Sequence, residues 1–413
     1  MIYIYRFLIN IIILLSPIII LIRLFKKKED IKRFKEKFSF FSKKRRRGKL
    51  IWFHAASVGE LLSIISLIKK MEKNRKISQI LVTTTTLTSS KLFNKFKFKK
   101  TVHQFFPIDN DSLTKKFLDY WKPNLAVFIE SEIWPNMIKN LEKKSIKKIL
   151  LNARISKKSY NRWKLLGSFS KDLFKSFDLT LPQNTESKVY LNKLNVKKIK
   201  FLGNLKFAQN NFFYNNPNYI FKKFIKTKNL WCALSTHPGE EGICSSVQAR
   251  LLKRFKNLVL IIIPRHVERI KNLSEELSQF NLKQHIHSDN GPIHKNTKIY
   301  IVDTYGETNS FLDTCKIVFM GKSLTTDGGQ NPLEAARHNC SILHGPNVSN
   351  FSEIYEFLNK EKISYKINSQ KQLYKKLEFL LVNRKRSSKI KNRINKIGNN
   401  ILTKNFKLIE SLI

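Results

Sequence analysis

Acids, cations and glycines gather in a few short segments of this chain, each placed where an apolar run stops. In the first, Leu50–His54 runs into Ala55-Ala56-Ser57-Val58-Gly59-Glu60. Small residues permit a tight turn, and Glu60 opens an amphipathic stretch. A carboxylate there either caps a helix N-terminus or, at a strand end facing a ligand, serves as a general base. In the second, Leu125–Glu130 continues as Ser131-Glu132-Ile133-Trp134-Pro135-Asn136. Glu130 and Glu132 stand two apart, a spacing that puts both carboxylates on one face of a strand. Two further apolar runs are followed by Asn152-Ala153-Arg154 and by Gly203-Asn204-Leu205-Lys206. Acids opposed by Arg154 and Lys206 suit proton transfer with charge stabilisation.

The second half repeats the arrangement with different chemistry. Ser235-Thr236-His237-Pro238-Gly239-Glu240-Glu241 follows one apolar run, and Pro264-Arg265-His266 follows an Ile-rich one. Tyr305-Gly306-Glu307, Gly321-Lys322-Ser323 and Gly328-Gly329-Gln330-Asn331-Pro332-Leu333-Glu334 come next. A Gly-Gly pair leading into a helix with Pro near its first turn offers backbone N–H groups to a phosphate. Glu334, on that first turn, is placed to accept ribose hydroxyls; a glycine-capped surface helix would use the same residues. Neither GxGxxG nor a P-loop occurs, which speaks against NAD and ATP chemistry. No acidic cluster has metal-ligand spacing, so a metal-free reaction without a cofactor is expected.

These segments need elements to hold them. Strands are expected at Leu50–His54, Ile80–Thr84, Leu125–Glu130, Lys148–Asn152, Asp178–Leu181 and Ile199–Gly203. A second series runs Leu230–Leu234, Leu258–Ile263, Lys298–Val302, Ile317–Met320 and Ser341–Leu343. Amphipathic helices alternate with them, as in Leu61, Leu62, Ile64, Ile65, Leu67, Ile68 and Met71. Such βαβ repetition predicts an α/β protein with two parallel, doubly wound sheets. Ligands then sit beyond the C-terminal strand ends, where the motifs fall. Gly is scarce, 13 of 413 residues, about half the usual share of roughly 7%. Eight of the thirteen nevertheless fall just after an expected strand or just before an expected helix. The expected division is 49–207 and 229–383 as the two domains. An Asn-rich linker at 208–228 joins them, and 384–413 forms a basic helical tail.

The N-terminus is of another kind. Residues 7–22 form an uncharged apolar run of 16, slightly short of the about 20 a spanning helix needs. Tyr3 and Tyr5 extend it as interfacial anchors, while Pro17 leaves both a span and a shallow interfacial helix open. Residues 1–25 are thus read as a membrane anchor and 26–48 as a basic juxtamembrane segment. Residues 23–47 hold 13 Lys and Arg against Glu29, Asp30 and Glu36. That excess assigns the rest of the chain to the cytoplasmic side of the membrane and attracts anionic headgroups. The whole chain carries a formal charge of +48, part of it a Lys-rich compositional bias. Four Cys without a CxxC pair exclude a disulfide scaffold.

Taken in order, HAASVGE (54–60), TTTTLTS (83–89), ESEIWPN (130–136), NARIS (152–156), GNLKF (203–207), STHPGEE (235–241), PRHVER (264–269), DTYGE (303–307), GKSL (321–324), GGQNPLEAA (328–336) and GPNVSNF (345–351) resemble the Kdo transferases of lipopolysaccharide synthesis. The resemblance implies a GT-B fold, two Rossmann-like domains facing across a cleft. It implies transfer of 3-deoxy-D-manno-octulosonate (Kdo) from CMP-Kdo to a lipid A precursor. By resemblance Glu60 is the base, and Glu130 and Lys206 support the transition state. CMP would meet Pro264, Arg265, Tyr305, Gly306, Glu307, Asn331, Pro332, Leu333 and Glu334. Lys322, Gln330, Ala208 and Ser89 depart from the pattern, standing where Gly, His, Asp and Gly are expected. The competing readings are another GT-B enzyme acting on a lipid-linked sugar, and a membrane-tethered basic nucleic-acid-binding protein. The second lacks a recognisable binding module, so no nucleic-acid partner is expected.

Overall fold

The computed structural model describes residues 1–209, 219–289, 291–383 and 389–413. The chain divides into two compact units, Met1–Asn210 with Ile397–Ile413, and Asn211–Lys396. The first unit is built on a six-stranded sheet: β1 (Leu50–His54), β2 (Gln79–Thr84), β3 (Thr101–Phe105), β4 (Leu125–Ile129), β5 (Lys147–Ala153) and β6 (Leu179–Pro182). Their order is β3-β2-β1-β4-β5-β6, and every pairing is parallel. β1 and β4 are buried at every position, which is why they read as unbroken apolar runs. Trp52, Phe117, Trp121 and Phe128 fill the core on one face of the sheet.

The second unit holds β7 (Asn229–Thr236), β8 (Leu258–Pro264), β9 (Gln284–Ile286), β10 (Ile299–Ile301), β11 (Ile317–Met320), β12 (Ser341–His344) and β13 (Ser364–Lys366). They form a seven-stranded sheet ordered β13-β12-β11-β7-β8-β10-β9, again all parallel. The order of strands reverses between β1 and β4 in the first sheet and between β7 and β11 in the second. Ligands of open α/β sheets bind outside the strand ends at such a point.

Three expectations change. β3, with the sequence Thr-Val-His-Gln-Phe, carries no apolar run, yet it is an edge strand whose polar side chains are satisfied. His103 meets Arg33 and Thr84, both at 2.9 Å, and Gln104 accepts from Trp121 Nε1 at 3.2 Å. Ile199–Gly203 forms no strand; only a bridge joins Ile199 to Thr180, because Gly203 turns away at φ +94°. β9 and β13 are edge stubs of three residues each, too short to show a period.

Of the linker expected at 208–228, residues 210–218, with Asn210, Asn211, Asn215 and Asn216, lie outside the described residues, and Tyr219–Ile225 is helical. Arg384 also lies outside them. The tail forms the helix Lys389–Glu410, whose residues from Ile397 onward belong to the first unit. Gly398 makes that approach possible: a Cβ there would stand 2.1 Å from the Phe207 carbonyl oxygen. Lys70 then donates to Thr403 at 3.1 Å and Asn74 to Glu410 at 2.6 Å.

The basic segment is folded onto the first unit. Glu36 is buried, pairs with Arg33 at 2.9 Å and accepts from Phe105 N at 2.8 Å. Arg45 donates to the Trp121 carbonyl at 2.6 Å. Ahead of it stands the helix Ile2–Phe25, long and apolar enough to cross a membrane.

Candidate active site

In the first unit the site grows from the ends of β1 and β4. Past His54 the chain turns through Ala55–Ser57, and Ser57 caps the helix Val58–Glu72. Ser57 Oγ accepts from Glu60 N at 3.3 Å, and Glu60 Oε1 accepts from Ser57 Oγ at 3.0 Å. Glu60 Oε2 accepts from Ala56 N at 2.8 Å. This reciprocal cap fixes the carboxylate while leaving lone pairs free. Capping and base readings of Glu60 are therefore compatible. Burial pushes its pKa up to about 8, with the charges of Glu132 and Glu130 adding to the rise and the bonds from Ser57 and Ala56 opposing it. A carboxylate tuned toward neutrality suits proton abstraction.

β4 stops at Ile129, and Glu130 turns the chain at φ +55°. Glu130 and Glu132 consequently do not share a strand face, as their spacing suggested. Glu130 Oε1 pairs with Lys206 Nζ at 2.6 Å, both side chains less than a tenth exposed. Glu132 Oε2 accepts from Trp134 Nε1 at 2.9 Å and lies 3.2 Å from His54 Nε2. Lys206 arrives through two Asn caps: Asn152 Oδ1 takes the Leu205 N–H and Asn204 Oδ1 the Lys206 N–H, both at 3.0 Å. Arg154 is strapped to the same turn by its backbone, its N–H to the Glu130 carbonyl at 3.2 Å. Glu60, Glu130 and Lys206 thus share one neighbourhood. His54 carried no expected role; a histidine closing an otherwise apolar strand was the available signal.

In the second unit the loops after β7, β8 and β11 converge. Gly321 lies so close to β7 that a Cβ would stand 2.4 Å from the Ser235 carbonyl oxygen. Glu240, fully buried, ties these loops together. Its Oε2 accepts from His237 N at 3.0 Å and Lys322 N at 2.7 Å, its Oε1 from Ser323 N at 2.9 Å and Leu324 N at 3.0 Å. Arg265 is exposed beyond β8, its backbone N–H donating to the Thr236 carbonyl at 3.1 Å. Lys322 adopts φ +57°, the left-handed conformation that glycine takes without strain, which accounts for the glycine expected there. Its side chain reaches over Gly328. The His237 pKa is lowered by burial, with Lys322, His266 and Arg265 adding to the fall and Glu240 opposing it. Positive charge therefore collects at this reversal point, and among the described residues neither Arg265 nor Lys322 pairs with a carboxylate.

The Gly328–Glu334 segment packs on the same loop, with Gly329 N donating to the Lys322 carbonyl at 2.8 Å. The helix after it, Leu333–Arg337, has only five residues, and Asn331 Oδ1 already takes the Leu333 N–H at 3.1 Å. Of the backbone donors expected to face a phosphate, those of Gly329 and Leu333 are thus used within the unit. Glu334, half-buried, has no hydrogen-bond partner among the described residues, so its oxygens are open acceptors; burial raises its pKa against the pull of Arg337. Tyr305 is exposed, with its hydroxyl 3.4 Å from Glu268 Oε1. Glu307 meets His287 at 3.2 Å and Thr304. Among the described residues no hydrogen bond or ion pair joins Tyr305–Glu307 to Asn331–Glu334.

Two Rossmann-like units, each with charged loops at its reversal point, define the architecture of GT-B glycosyltransferases and of nucleotide-sugar epimerases. A glycosyltransferase from Rickettsia africae shares the fold at a TM-score of 0.60 and 10% identity, over 89% of this chain and 99% of that one. The UDP-GlcNAc 2-epimerase from Neisseria meningitidis does so at 0.58 and 12%, over 88% and 99%. Residues 32–209 match the family described as 3-deoxy-D-manno-octulosonic-acid transferase. A 3-deoxy-D-manno-octulosonic acid transferase of Rickettsia bellii is 37% identical over 372 residues, 89% of this chain and 88% of its own. That of Haemophilus influenzae is 27% identical over 372 residues, 88% and 85%. The chain belongs to the Kdo transferase family.

Proposed function

We propose that the protein transfers Kdo from CMP-Kdo to a lipid A precursor during lipopolysaccharide core synthesis. The observation that carries this reading is Glu60: capped in place, tuned toward neutrality and set beside the Glu130–Lys206 pair. Its carboxylate takes the proton of the attacking acceptor hydroxyl. The oxygen forms the new bond to the anomeric carbon of Kdo, and the bond from that carbon to the CMP phosphate oxygen breaks. Lys206 and Glu130 set the field in which charge moves. On the second unit, Arg265 and Lys322 hold the departing phosphate, and Glu334 accepts ribose hydroxyls. Pro264, Tyr305, Gly306, Glu307, Asn331, Pro332 and Leu333 complete the CMP subsite. We propose that the reaction needs no metal, its positive charge coming from these side chains. The apolar helix and basic segment attach the enzyme to the cytoplasmic face of the inner membrane, where an anionic glycolipid acceptor lies.

Purified protein given CMP-Kdo and the tetra-acylated lipid A precursor should yield the precursor mass plus Kdo, with CMP released, equally in EDTA. UDP-sugars should yield nothing. Transfer from a UDP-sugar instead would sink the assignment, and loss of activity in EDTA would sink the metal-free step.

A further inference from the structure

The helix Ile2–Phe25 turns one face toward the rest of the first unit. Tyr5, Ile9, Ile13, Ser16, Ile20 and Arg23 recur at helical spacing, and all are wholly or partly buried. Its polar residues near the N-terminus bond to loops of the folded unit. The Tyr5 hydroxyl donates to Asp109 at 2.7 Å. Arg6 donates to Asn136 at 2.9 Å and pairs with Asp111. Asn110 donates to Asn10 at 2.8 Å. Near its other end Arg23 pairs with Glu29 at 2.9 Å, and Lys37 pairs with the same carboxylate at 2.6 Å.

Eighteen residues separate Tyr5 from Arg23, a rise of roughly 27 Å along a helix. The hydrocarbon core of a bilayer is about 30 Å thick. A helix crossing that core would carry Tyr5 and Arg6 to the face opposite Arg23. Asp109, Asp111 and Asn136 would have to follow, although they belong to the same folded unit as Glu29. Spanning is incompatible with these bonds.

The other side of the helix is apolar. Tyr3, Phe7, Leu14, Ile18, Leu21 and Phe25 are each more than half exposed and, at about 100° per residue, fall within an arc of roughly 60°. Such a stripe beside Lys- and Arg-rich chain fits the headgroup–acyl boundary of an anionic leaflet.

Resting on the membrane attachment above, we propose that this helix lies in the plane of one leaflet, a monotopic anchor with both ends on the cytoplasmic side. Asn136, the Arg6 partner, ends the motif that begins at Glu130. The in-plane helix therefore brings the carboxylate loop to the membrane surface, where a glycolipid headgroup is presented.

Full-length protein in native membranes, with the pair Asn10→Cys and Asn110→Cys, tests this with a short bis-maleimide. The native Cys232, Cys244, Cys315 and Cys340 are all buried and should stay silent. The expected result is membrane-bound protein with peptides 10 and 110 joined, detected by mass. A second protein with Tyr3→Cys should resist an impermeant maleimide on intact spheroplasts. Labelling of residue 3 from the periplasmic side, or membrane-bound protein without the 10–110 link, would overturn the in-plane placement. Protein found in the soluble fraction would instead overturn the membrane attachment itself.

Discussion

The Lys206 ammonium stands 2.6 Å from Glu130 Oε1, with both side chains less than a tenth exposed. Seventy-six residues separate them in the chain. Removing one partner of a buried pair leaves the other charge uncompensated and costs about 3–5 kcal/mol. Lys206→Met should destabilise the protein on that scale. Adding Glu130→Gln should restore most of the loss, read by denaturant melts, yet leave Kdo transfer impaired. A double variant with wild-type activity would reduce the pair to a structural role.

Glu60→Gln should retain the fold and CMP binding while losing about 10²–10⁴-fold in transfer, the usual contribution of a general base. The amide cannot take the proton. Activity within threefold of the unchanged protein would refute the assignment.

On the proposed mechanism the pH profile should depend on the same carboxylate. Its folded pKa is raised to about 8, so kcat/KM should fall as pH drops below that value and the base becomes protonated. Burial is the first cause and Glu132 the second. Glu132→Gln should therefore move the acid limb to lower pH, still above the ordinary carboxylate range because burial remains. A limb that stays in place would show that another group controls it.

Glu240 accepts four backbone N–H groups from the loops after β7 and β11. Glu240→Gln replaces one accepting oxygen by a donor. The loss should be roughly 3 kcal/mol, from two charge-assisted bonds at about 1.5 kcal/mol or more each. The donor KM should rise more than kcat falls. Unchanged melting would mean that the loops hold themselves.

Lys322 separates stability from binding. At φ +57° a non-glycine residue carries about 1–2 kcal/mol of strain, partly offset by the chain entropy that glycine loses on folding. Lys322→Gly should raise stability by roughly 0.5–1 kcal/mol while weakening CMP affinity and flattening its salt dependence. Calorimetry at two ionic strengths decides this; equal affinity in both proteins would remove Lys322 from the phosphate site.

Much of this protein is written locally. β1, β4 and β8 are buried on both faces, so each reads as an unbroken apolar run, and the turn residues after them mark the motifs. A window of five to fifteen residues contains that information, because strand burial and helix periodicity are short-range patterns. The N-terminal apolar helix and the tail helix are legible for the same reason. Other features depend on residues far apart in the chain. Glu60 owes its raised pKa to desolvation and to acids some seventy residues away. Glu240 is, in the sequence, one of two adjacent acids in a motif after an apolar run; only the fold brings Lys322, Ser323 and Leu324 to donate to it. β3 was hidden because its polar side chains are paid for by Arg33, Thr84 and Trp121 rather than by its own pattern. An apolar run of sixteen residues cannot say whether it crosses a bilayer or lies along one. The in-plane placement proposed above rests on Asp109 and Asp111 accepting from Tyr5 and Arg6, since a hydrogen bond requires its two partners on the same side of the membrane.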